Sequence, residues 1–554
     1  MRLRRSTVLA ILSHFVLSPV GAQAKRTVPA VTAADLRTRL FLIADDSMMG
    51  RRPGEEGDFK TAAYIASEYK RFGLEPAGEN GTFFQTVPFF RVKLDPASRI
   101  AVAGTELSFG VDWAPVNLGV ALRPLEGASV IYGGSATDTT QWPTADAAEG
   151  HVVVLTVGAW NDGRRDFLGT RGINVSGRFR RAAAVALAEL DIASPLLLAN
   201  LRDGALTSDT ARNRAIAPVL LVTPRAAATM LGASPEQLSP GAAGKTITGR
   251  IGTVSTPVPF AARNVIGILR GSDASLRGEY VSVTAHNDHV GFNHAPVDHD
   301  SIRAYLRVKR PMGADTPDSP VTTPEQAAKI RTILDSLRKV NKPRLDSITN
   351  GADDDGSGSV ALLEIAEELA SRAKHPRRSI IFTSHTGEEY GLIGSGWFTD
   401  HATVPIDSII GELDMDMIGR GGATDLPEGG VGYLEVVGAK RLSVEFGNVL
   451  EATNAKQPVP FTFNYTYDAP GHPLQYYCRA DHYNYARYGI PAVAFSRGEH
   501  LDYHQVTDEP QYMDYDVMAR VASFVRDAAV ELANRDRRPA LDKPKGDPHA
   551  QCRQ

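Results

Sequence analysis

Three adjacent carboxylates in a glycine-rich turn are the clearest chemical signal in the sequence. Asp353, Asp354 and Asp355 lie in the stretch 350–358, directly before an apolar run that predicts a helix over 360–369. So much like charge at one turn is costly to hold without a counter-cation. The turn therefore predicts a cation site whose other ligands come from elsewhere in the chain.

Four further stretches supply imidazole and carboxylate side chains, at 284–289, 386–390, 413–419 and 502–505. The first two each follow a short β-branched run of the kind that predicts a buried strand. Polar side chains just past strand ends are where open α/β sheets place their sites. Histidine and carboxylate donors without a thiolate suit zinc in a hydrolytic site rather than in a structural one.

Length and charge limit the kind of protein. A chain of 554 residues exceeds one ordinary domain and predicts two or more. Sixty basic and sixty-four acidic residues give a formal charge of −4, and no polybasic block stands out. The composition therefore argues against nucleic acid and anionic membrane as partners.

The first residues predict a secretory signal peptide over 1–24. Three arginines within the first five residues precede an apolar stretch over 7–20, and residues 22–24 (Ala-Gln-Ala) have the form of a cleavage site. The apolar stretch is too short and too interrupted for a membrane anchor. We therefore expect an exported chain, secreted or periplasmic, without integral membrane association.

The sequence contains two cysteines, Cys478 and Cys552. Export permits a disulfide, but Cys552 lies in the polar stretch 535–554, which we expect to be a frayed tail. We therefore expect the two thiols not to pair. Neither cysteine lies in a motif typical of a nucleophile.

The rest of the chain divides into segments of different composition. Residues 31–93 predict two helices and a strand. Residues 94–254 consist of short runs of Ala, Gly and β-branched residues, and the Ala-rich stretch 176–190 predicts a helix. The strand–helix alternation of an α/β domain runs over 255–534, and a long proline-rich insertion over 293–349 interrupts it.

Taken in order, these motifs resemble those of metallopeptidase family twenty-eight, the co-catalytic di-zinc aminopeptidases. Five motifs in one order are a specific signal; they lie at 285–289, 350–358, 387–391, 416–419 and 502–505. The resemblance implies an α/β fold with a twisted mixed sheet and helices on both faces. Residues 31–93 look like the amino-terminal part of the peptidase domain, and residues 94–254 resemble an inserted protease-associated domain of β-rich or α+β type.

The resemblance also implies a ligand set for two zinc ions. Asp354 would be the carboxylate that bridges them. His286 and Asp416 would complete one site, and Glu389 and His504 would complete the other. Two zinc ions about 3.5–4 Å apart need a bridging carboxylate of this kind.

Three catalytic roles follow from the same resemblance. Asp288 would fix the tautomer of His286 and raise its basicity. Glu388, beside a ligand but not itself one, would be the general base. Tyr503 would donate a hydrogen bond to the oxyanion that develops on the substrate.

Several neighbouring residues compete with this assignment. Asp414 is an alternative to Asp416, although the Met-Ile-Gly that follows favours Asp416. Asp353 and Asp355 are expected to be turn residues rather than ligands. Asp481 and His482 are expected to support the site rather than to bind metal. We expect the histidines in and beside the insertion to be exposed rather than metal-bound; they are His289, His294 and His299.

The function implied is that of an exported zinc aminopeptidase acting on peptides. A carboxypeptidase or dipeptidase on the same scaffold is the alternative within the enzyme class. A binding ectodomain without catalysis is a third hypothesis, and a single-metal glutaminyl cyclase is a remote fourth. A binding ectodomain would lack several ligands, whereas all five ligand positions here carry chemically competent residues.

Overall fold

The computed structural model describes residues 27–115, 125–136, 138–157, 178–193, 204–208, 217–316, 322–550 and 552–554, apart from the side chains of residues 293 and 294. The signal peptide predicted at 1–24 lies outside these residues. None of the described helices combines the length and the apolar character needed to cross a membrane.

The strands are numbered in chain order. Those before residue 260 are β1 Glu75–Pro76, β2 Phe84–Val87, β3 Phe89–Leu94, β4 Arg99–Val102, β5 Thr105–Leu107, β6 Trp113–Pro115, β7 Ser129–Ser135, β8 Val152–Thr156, β9 Ala184–Ala188, β10 Ala205–Ser208, β11 Val219–Val222, β12 Ala243–Arg250 and β13 Thr253–Pro257. Those after it are β14 Ala262–Leu269, β15 Tyr280–His286, β16 Gly291–Asp298, β17 Pro311–Ala314, β18 Leu345–Thr349, β19 Ser379–His385, β20 Ile409–Met415, β21 Tyr433–Val437, β22 Thr462–Asn464 and β23 Ala492–Ser496.

The α-helices of the described residues are numbered in the same way. They are α1 Ala33–Ile43, α2 Glu56–Phe72, α3 Pro224–Leu231, α4 His299–Lys309, α5 Pro324–Leu337, α6 Gly358–Ser371, α7 Ile393–Asp400, α8 Val444–Ala455, α9 His482–Ala486 and α10 Tyr515–Asn534.

A mixed sheet forms the centre of the domain that carries the motifs. Its order is β1-β14-β19-β15-β20-β23-β21-β22, and β2 also pairs with β14. The four central strands β19, β15, β20 and β23 are parallel, whereas β14 runs antiparallel to β19.

Helices cover both faces of this sheet. On one face, α1, α2, α6 and α10 bury residues such as Leu40, Leu362 and Phe524 in the largest apolar core. On the other face, α7 and α9 contribute Phe398 and Tyr485 to a separate core. The α/β fold with a mixed sheet and helices on both faces is therefore confirmed.

A second sheet lies within residues 99–250, with the order β5-β4-β12-β7-β8-β9-β11-β6. The prediction of a helix at 176–190 is wrong, because residues 184–188 form β9 between the parallel strands β8 and β11. All five residues of β9 are buried, and burial on both faces is typical of strands in parallel sheets. The helical preference of alanine is therefore overridden by tertiary packing.

The chain enters and leaves this region through adjacent strands. β3 and β13 pair antiparallel, with Leu94 opposite Thr253 and Phe90 opposite Pro257. The two ends of the region therefore lie side by side at the edge of the motif-bearing domain. Its assignment as a protease-associated domain stays a prediction, as do the domain boundaries.

The carboxyl-terminal segment differs from the expected frayed tail. The Gln554 side-chain amide donates to the backbone oxygens of Tyr467 and Ala469 at 3.1 and 3.0 Å. The expectation that the thiols stay unpaired is also wrong, because Cys478 and Cys552 form a disulfide. A polar composition indicates exposure, but it does not reveal that the domain offers backbone acceptors which hold the tail against it.

Candidate metal centre

Adjacent strands bring the predicted ligands to one edge of the central sheet. His286 is the last residue of β15, and Asp416 directly follows β20. Glu388 and Glu389 follow β19, and His504 lies in the loop after β23. Because these four strands are neighbours and run parallel, their carboxyl ends meet, and that edge is where α/β sheets bind ligands.

Hydrogen bonds between backbone N–H groups and carboxylate side chains fix the acidic turn at the start of α6. The Asp354 N–H donates to Asp508 Oδ2 at 3.2 Å. Asp355 accepts from the N–H of His286 at 3.0 Å and from the N–H of Gly358 at 2.8 Å. Asp355 therefore ties the turn to β15, while the carboxylate of Asp354 is left to face the other predicted ligands.

Asp354 lies between two groups of donors. On one side, Asp354 Oδ1 is 3.2 Å from His286 Nε2, which is 3.7 Å from Asp416 Oδ1. On the other side, Asp354 Oδ2 is 3.1 Å from His504 Nε2, which is 2.8 Å from Glu389 Oε2. One oxygen of Asp354 thus faces each group, as a bridging ligand requires.

His289 joins the second group, so the expectation that it is exposed is wrong. Its side chain is fully buried, and Nδ1 is 2.7 Å from Glu389 Oε1 and 3.8 Å from Asp354 Oδ2. The ring packs on Gly351, where an added Cβ would lie 2.4 Å from the His289 Cγ. A glycine at that position of the acidic turn therefore makes room for a fourth donor.

The other competing residues have different roles. His299 is buried with Nε2 3.4 Å from Glu509 Oε1, so its predicted exposure is wrong; the insertion folds back onto the domain at this point. The side chain of His294 lies outside the described residues.

The competing aspartates of the acidic turn and of β20 have other partners. Asp353 accepts from the Gly419 N–H at 2.6 Å. Asp414 accepts from the Thr284 hydroxyl at 2.8 Å and belongs to neither donor group.

The cluster has the unsatisfied polar atoms that a metal site should have. Among the described residues, these donor atoms are buried and lack a partner with hydrogen-bond geometry despite their short contacts. They are His286 Nε2, His289 Nδ1 and Nε2, Asp354 Oδ2, Glu389 Oε1, Asp416 Oδ1 and His504 Nε2. Unpaired buried polar atoms are rare and costly unless a ligand satisfies them. A set of imidazoles and carboxylates fits zinc.

The electrostatics of the cluster are consistent with this fit. Burial acts to raise the pKa of Asp354, but the imidazoles of His286 and His504 outweigh it and hold that pKa well below its usual range. Burial also raises the pKa of Glu388 well above its usual range, and the carboxylate of Asp416 adds to the rise. Carboxylates so close together favour a cation between them.

Asp288 connects Glu388 to the first group of donors. Its Oδ1 lies 3.4 Å from His286 Nδ1 and accepts from the Glu388 N–H at 3.1 Å. Glu388 Oε2 is 4.0 Å from His286 Nε2, on the side that faces the cluster. The Tyr503 ring stacks on His504 with centroids 3.8 Å apart. The structure therefore places all three residues predicted to act in catalysis beside the donors.

Arg51 is a component of the site that none of the five sequence motifs contains. It is fully buried, and its guanidinium donates to the backbone oxygens of Asn287 at 2.9 Å, Asn350 at 2.5 Å and Gly351 at 2.8 Å. Asn287 follows His286, whereas Asn350 and Gly351 begin the turn that carries Asp354. Arg51 therefore joins the two loops whose ligands must meet.

Replacing Arg51 with methionine is expected to lower zinc affinity by about tenfold to a hundredfold, the range for loss of a group that orients ligands. The physical reason is that the two loops lose their common donor, so the separation of His286 from Asp354 is no longer fixed. Competition with a chromophoric chelator measures the dissociation constant. Arg37→Met, at an exposed position of α1, is the control. An unchanged zinc dissociation constant in Arg51→Met would contradict this role.

The fold and the cluster define the class: an α/β protein whose sheet edge carries carboxylates and imidazoles suited to a divalent metal. Residues 264–529 match the model of peptidase family M28. This stretch contains all five motifs, and the resemblance to metallopeptidase family twenty-eight inferred from them is confirmed for this part of the chain.

Individual relatives match shorter stretches. Aminopeptidase NAALADL1 of Rattus norvegicus is 51% identical over 59 residues, which are 10% of this chain and 8% of that protein. Probable glutamate carboxypeptidase VP8 of Zea mays is 35% identical over 105 residues, 17% of this chain and 15% of that protein. The chain thus spans a small part of these curated relatives. The solved aminopeptidase from Aneurinibacillus sp. strain AM-1 has a TM-score of 0.49 and 15% identity, covering 93% of this chain and 97% of that one.

Proposed function

We propose that the protein is an exported zinc aminopeptidase that releases amino-terminal residues from peptides with the help of two zinc ions. The observation that carries the proposal is the convergence on Asp354 of two donor groups whose facing atoms lack hydrogen bonds. His286, Asp354 and Asp416 would hold one ion. The second ion would be held by Asp354, Glu389 and His504, with His289 as a further donor.

When bound, the ions would supply Lewis acidity that activates a water and polarises the scissile carbonyl. Glu388 is the group that accepts the proton of the attacking water and passes it to the leaving amine. Its position next to Glu389 keeps it beside the cluster, and Asp288 fixes its backbone. Tyr503 would donate its hydroxyl proton in a hydrogen bond to the carbonyl oxygen as negative charge builds there.

Export is the part of the proposal that rests on the chain outside the donor cluster. The arginines and apolar stretch of residues 1–24 have the form of a signal peptide. The disulfide between Cys478 and Cys552 supports export, since such bonds persist in oxidising compartments and are rare in reducing ones.

A carboxypeptidase on the same scaffold is the second candidate, favoured by the similarity to the probable glutamate carboxypeptidase of maize. The two activities use the same metal chemistry and differ in which peptide terminus the pocket accepts. Paired peptides with free and acetylated amino termini separate them. An aminopeptidase cleaves the free form alone, whereas a carboxypeptidase cleaves both.

Metal removal tests the proposal as a whole. Elemental analysis of the purified protein is expected to find two zinc ions per chain. Dialysis against a chelator is expected to abolish release of the amino-terminal residue, and added zinc is expected to restore it, because the water and the carbonyl depend on the metal. Undiminished hydrolysis after the metal is stripped would refute the proposal.

A further inference from the structure

A second group of carboxylates lies near the metal centre and belongs to neither of its donor groups. Asp315 follows β17 in the insertion, Glu435 is the middle residue of β21, and Glu499 lies between β23 and the ligand His504. These three residues are far apart in the sequence and come together through the fold. We call them the acidic subsite.

Backbone contacts hold the insertion against the loop that carries two functional residues. The Ala314 N–H donates to the Glu499 backbone oxygen at 2.8 Å, and the Arg310 guanidinium donates to the Tyr503 backbone oxygen at 3.1 Å. Gly313 permits this approach, because a Cβ there would lie 2.2 Å from the Glu499 oxygen. The insertion therefore packs against this loop, and it places Asp315 next to Glu499.

Glu435 has an unsatisfied oxygen in this group. Its side chain is 1% exposed, Oε1 accepts from the Tyr433 hydroxyl at 2.6 Å, and Oε2 has no hydrogen-bond partner. No basic side chain of the described residues forms an ion pair with it. Burial, together with the charges of Glu499 and Asp315, raises the pKa of Glu435 to about 8. A buried carboxylate with a free oxygen and acidic neighbours calls for a cation.

Aromatic rings line the same place. The Tyr476 hydroxyl donates to Asp315 Oδ2 at 2.9 Å, and its ring lies 4.5 Å from that of Tyr467, centroid to centroid. The Arg479 guanidinium lies 5.0 Å from the Tyr476 ring and 2.7 Å from Glu499. Aromatic faces combined with carboxylates bind ammonium and guanidinium groups. The contacts of Arg479 show that these aromatic and acidic side chains already bind one guanidinium group.

The acidic subsite borders the catalytic residues. The Arg479 guanidinium lies 2.7 Å from Glu499, which precedes Tyr503 and the ligand His504 on the same loop. The acidic subsite is therefore connected to the metal centre through this loop. Asp315 and Glu499 face one guanidinium there, and Glu435 adds a carboxyl group that a bound cation would help to ionise, so the group favours a further cation next to the place where a peptide would be cleaved.

We propose that Asp315, Glu435 and Glu499 bind the cationic side chain of a lysine or arginine that flanks the scissile bond. The inference deepens the proposed function and rests on it, since it names the substrate class of that same site. A lysine ammonium or an arginine guanidinium satisfies the free oxygen of Glu435, meets the charge of Asp315 and lies against the tyrosine rings. The protein thereby selects basic peptides.

Matched substrates test this selectivity. Lysine and norleucine differ in the ammonium group, so each is placed once before and once after the scissile bond with the rest of the peptide unchanged. In at least one position, kcat/KM for lysine is expected to exceed that for norleucine by about tenfold or more, the range for a hydrogen-bonded charged group. Equal or faster cleavage of norleucine in both positions overturns the proposal.

Two isosteric variants locate the effect. Asp315→Asn and Glu435→Gln keep the hydrogen-bond acceptors for Tyr476 and Tyr433 but can no longer carry a negative charge toward a bound cation. Each is expected to lower kcat/KM for the lysine peptide by about tenfold and to leave the norleucine peptide unchanged. Tyr476→Phe is the control for a purely structural role, because it removes the hydrogen bond between Tyr476 and Asp315 but keeps the charge of Asp315. If Asp315→Asn lowers cleavage of both peptides equally, the subsite is refuted.

A binding measurement separates this inference from the proposed function. Calorimetric titration of the intact protein with L-lysine and L-norleucine requires no turnover. Stronger binding of lysine, lost in Asp315→Asn, supports the acidic subsite even if no peptide is cleaved, which would instead refute the aminopeptidase. Equal binding of both amino acids, together with cleavage of norleucine peptides, refutes the subsite and leaves the aminopeptidase standing.

Discussion

The Glu388→Gln variant is expected to keep its zinc and to lose activity by about a hundredfold to ten-thousandfold in kcat/KM, the share that a positioned acid–base group supplies. Glutamine has the shape of glutamate but cannot accept the proton of the attacking water. The backbone bond from the Glu388 N–H to Asp288 does not depend on the side chain, so the loop should stay in place. Elemental analysis and amino-terminal hydrolysis measure the two quantities separately.

The control for this exchange is Glu75→Gln, because Glu75 is an exposed partner of Arg270 on the first strand, away from the cluster. It should match the unmodified protein in both zinc and turnover. If Glu388→Gln also matches it in both, Glu388 has no part in the mechanism. If Glu388→Gln loses zinc instead, Glu388 is a ligand and the base must be sought elsewhere.

The meeting of these polar stretches at one sheet edge could be predicted from sequence because most of them follow a recognisable strand or turn, whereas the ligand set itself was implied by the family resemblance. A buried β-branched run ends at His286, and another ends three residues before Glu388. Since parallel strands end at a common edge, a local pattern was enough to place residues more than a hundred positions apart. The glycine-rich turn and the helix that follows it indicated a cation site, and the family resemblance selected Asp354 among its three carboxylates.

His289 and Arg51 could not be placed in the same way. His289 is buried because Gly351, sixty-two residues later, has no side chain where the imidazole lies. Arg51 binds backbone carbonyl groups of two loops, and such acceptors cannot be recognised from residue type, because every residue has one.

Two further errors share this cause. The alanines of β9 favour a helix in isolation, and their place between two parallel strands is decided by packing across the sheet. Cys552 lies in a polar segment, and its pairing with Cys478 depends on where the domain holds the end of the chain. Tertiary contacts, rather than local preference, settle such positions.

The Asp354→Asn variant is expected to lose zinc from both sites and to show no measurable hydrolysis. Both oxygens of Asp354 are used, one toward His286 and one toward His504, so an amide in place of one oxygen removes a ligand and the negative charge between the ions. The dissociation constant for zinc should rise by more than about a hundredfold, the upper limit for losing a group that only orients ligands. Chelator competition on the purified variant gives this value.

The adjacent Asp353→Asn variant shows whether the bridge or the acidic turn itself is responsible. Asp353 is equally buried and carries the same charge, but its Oδ1 accepts from the Gly419 N–H, which an asparagine oxygen can also do. Asp353→Asn should therefore keep its zinc while Asp354→Asn loses it. Equal retention by both variants would show that no bridging carboxylate is needed, and equal loss would show that the whole turn, rather than Asp354, holds the metal.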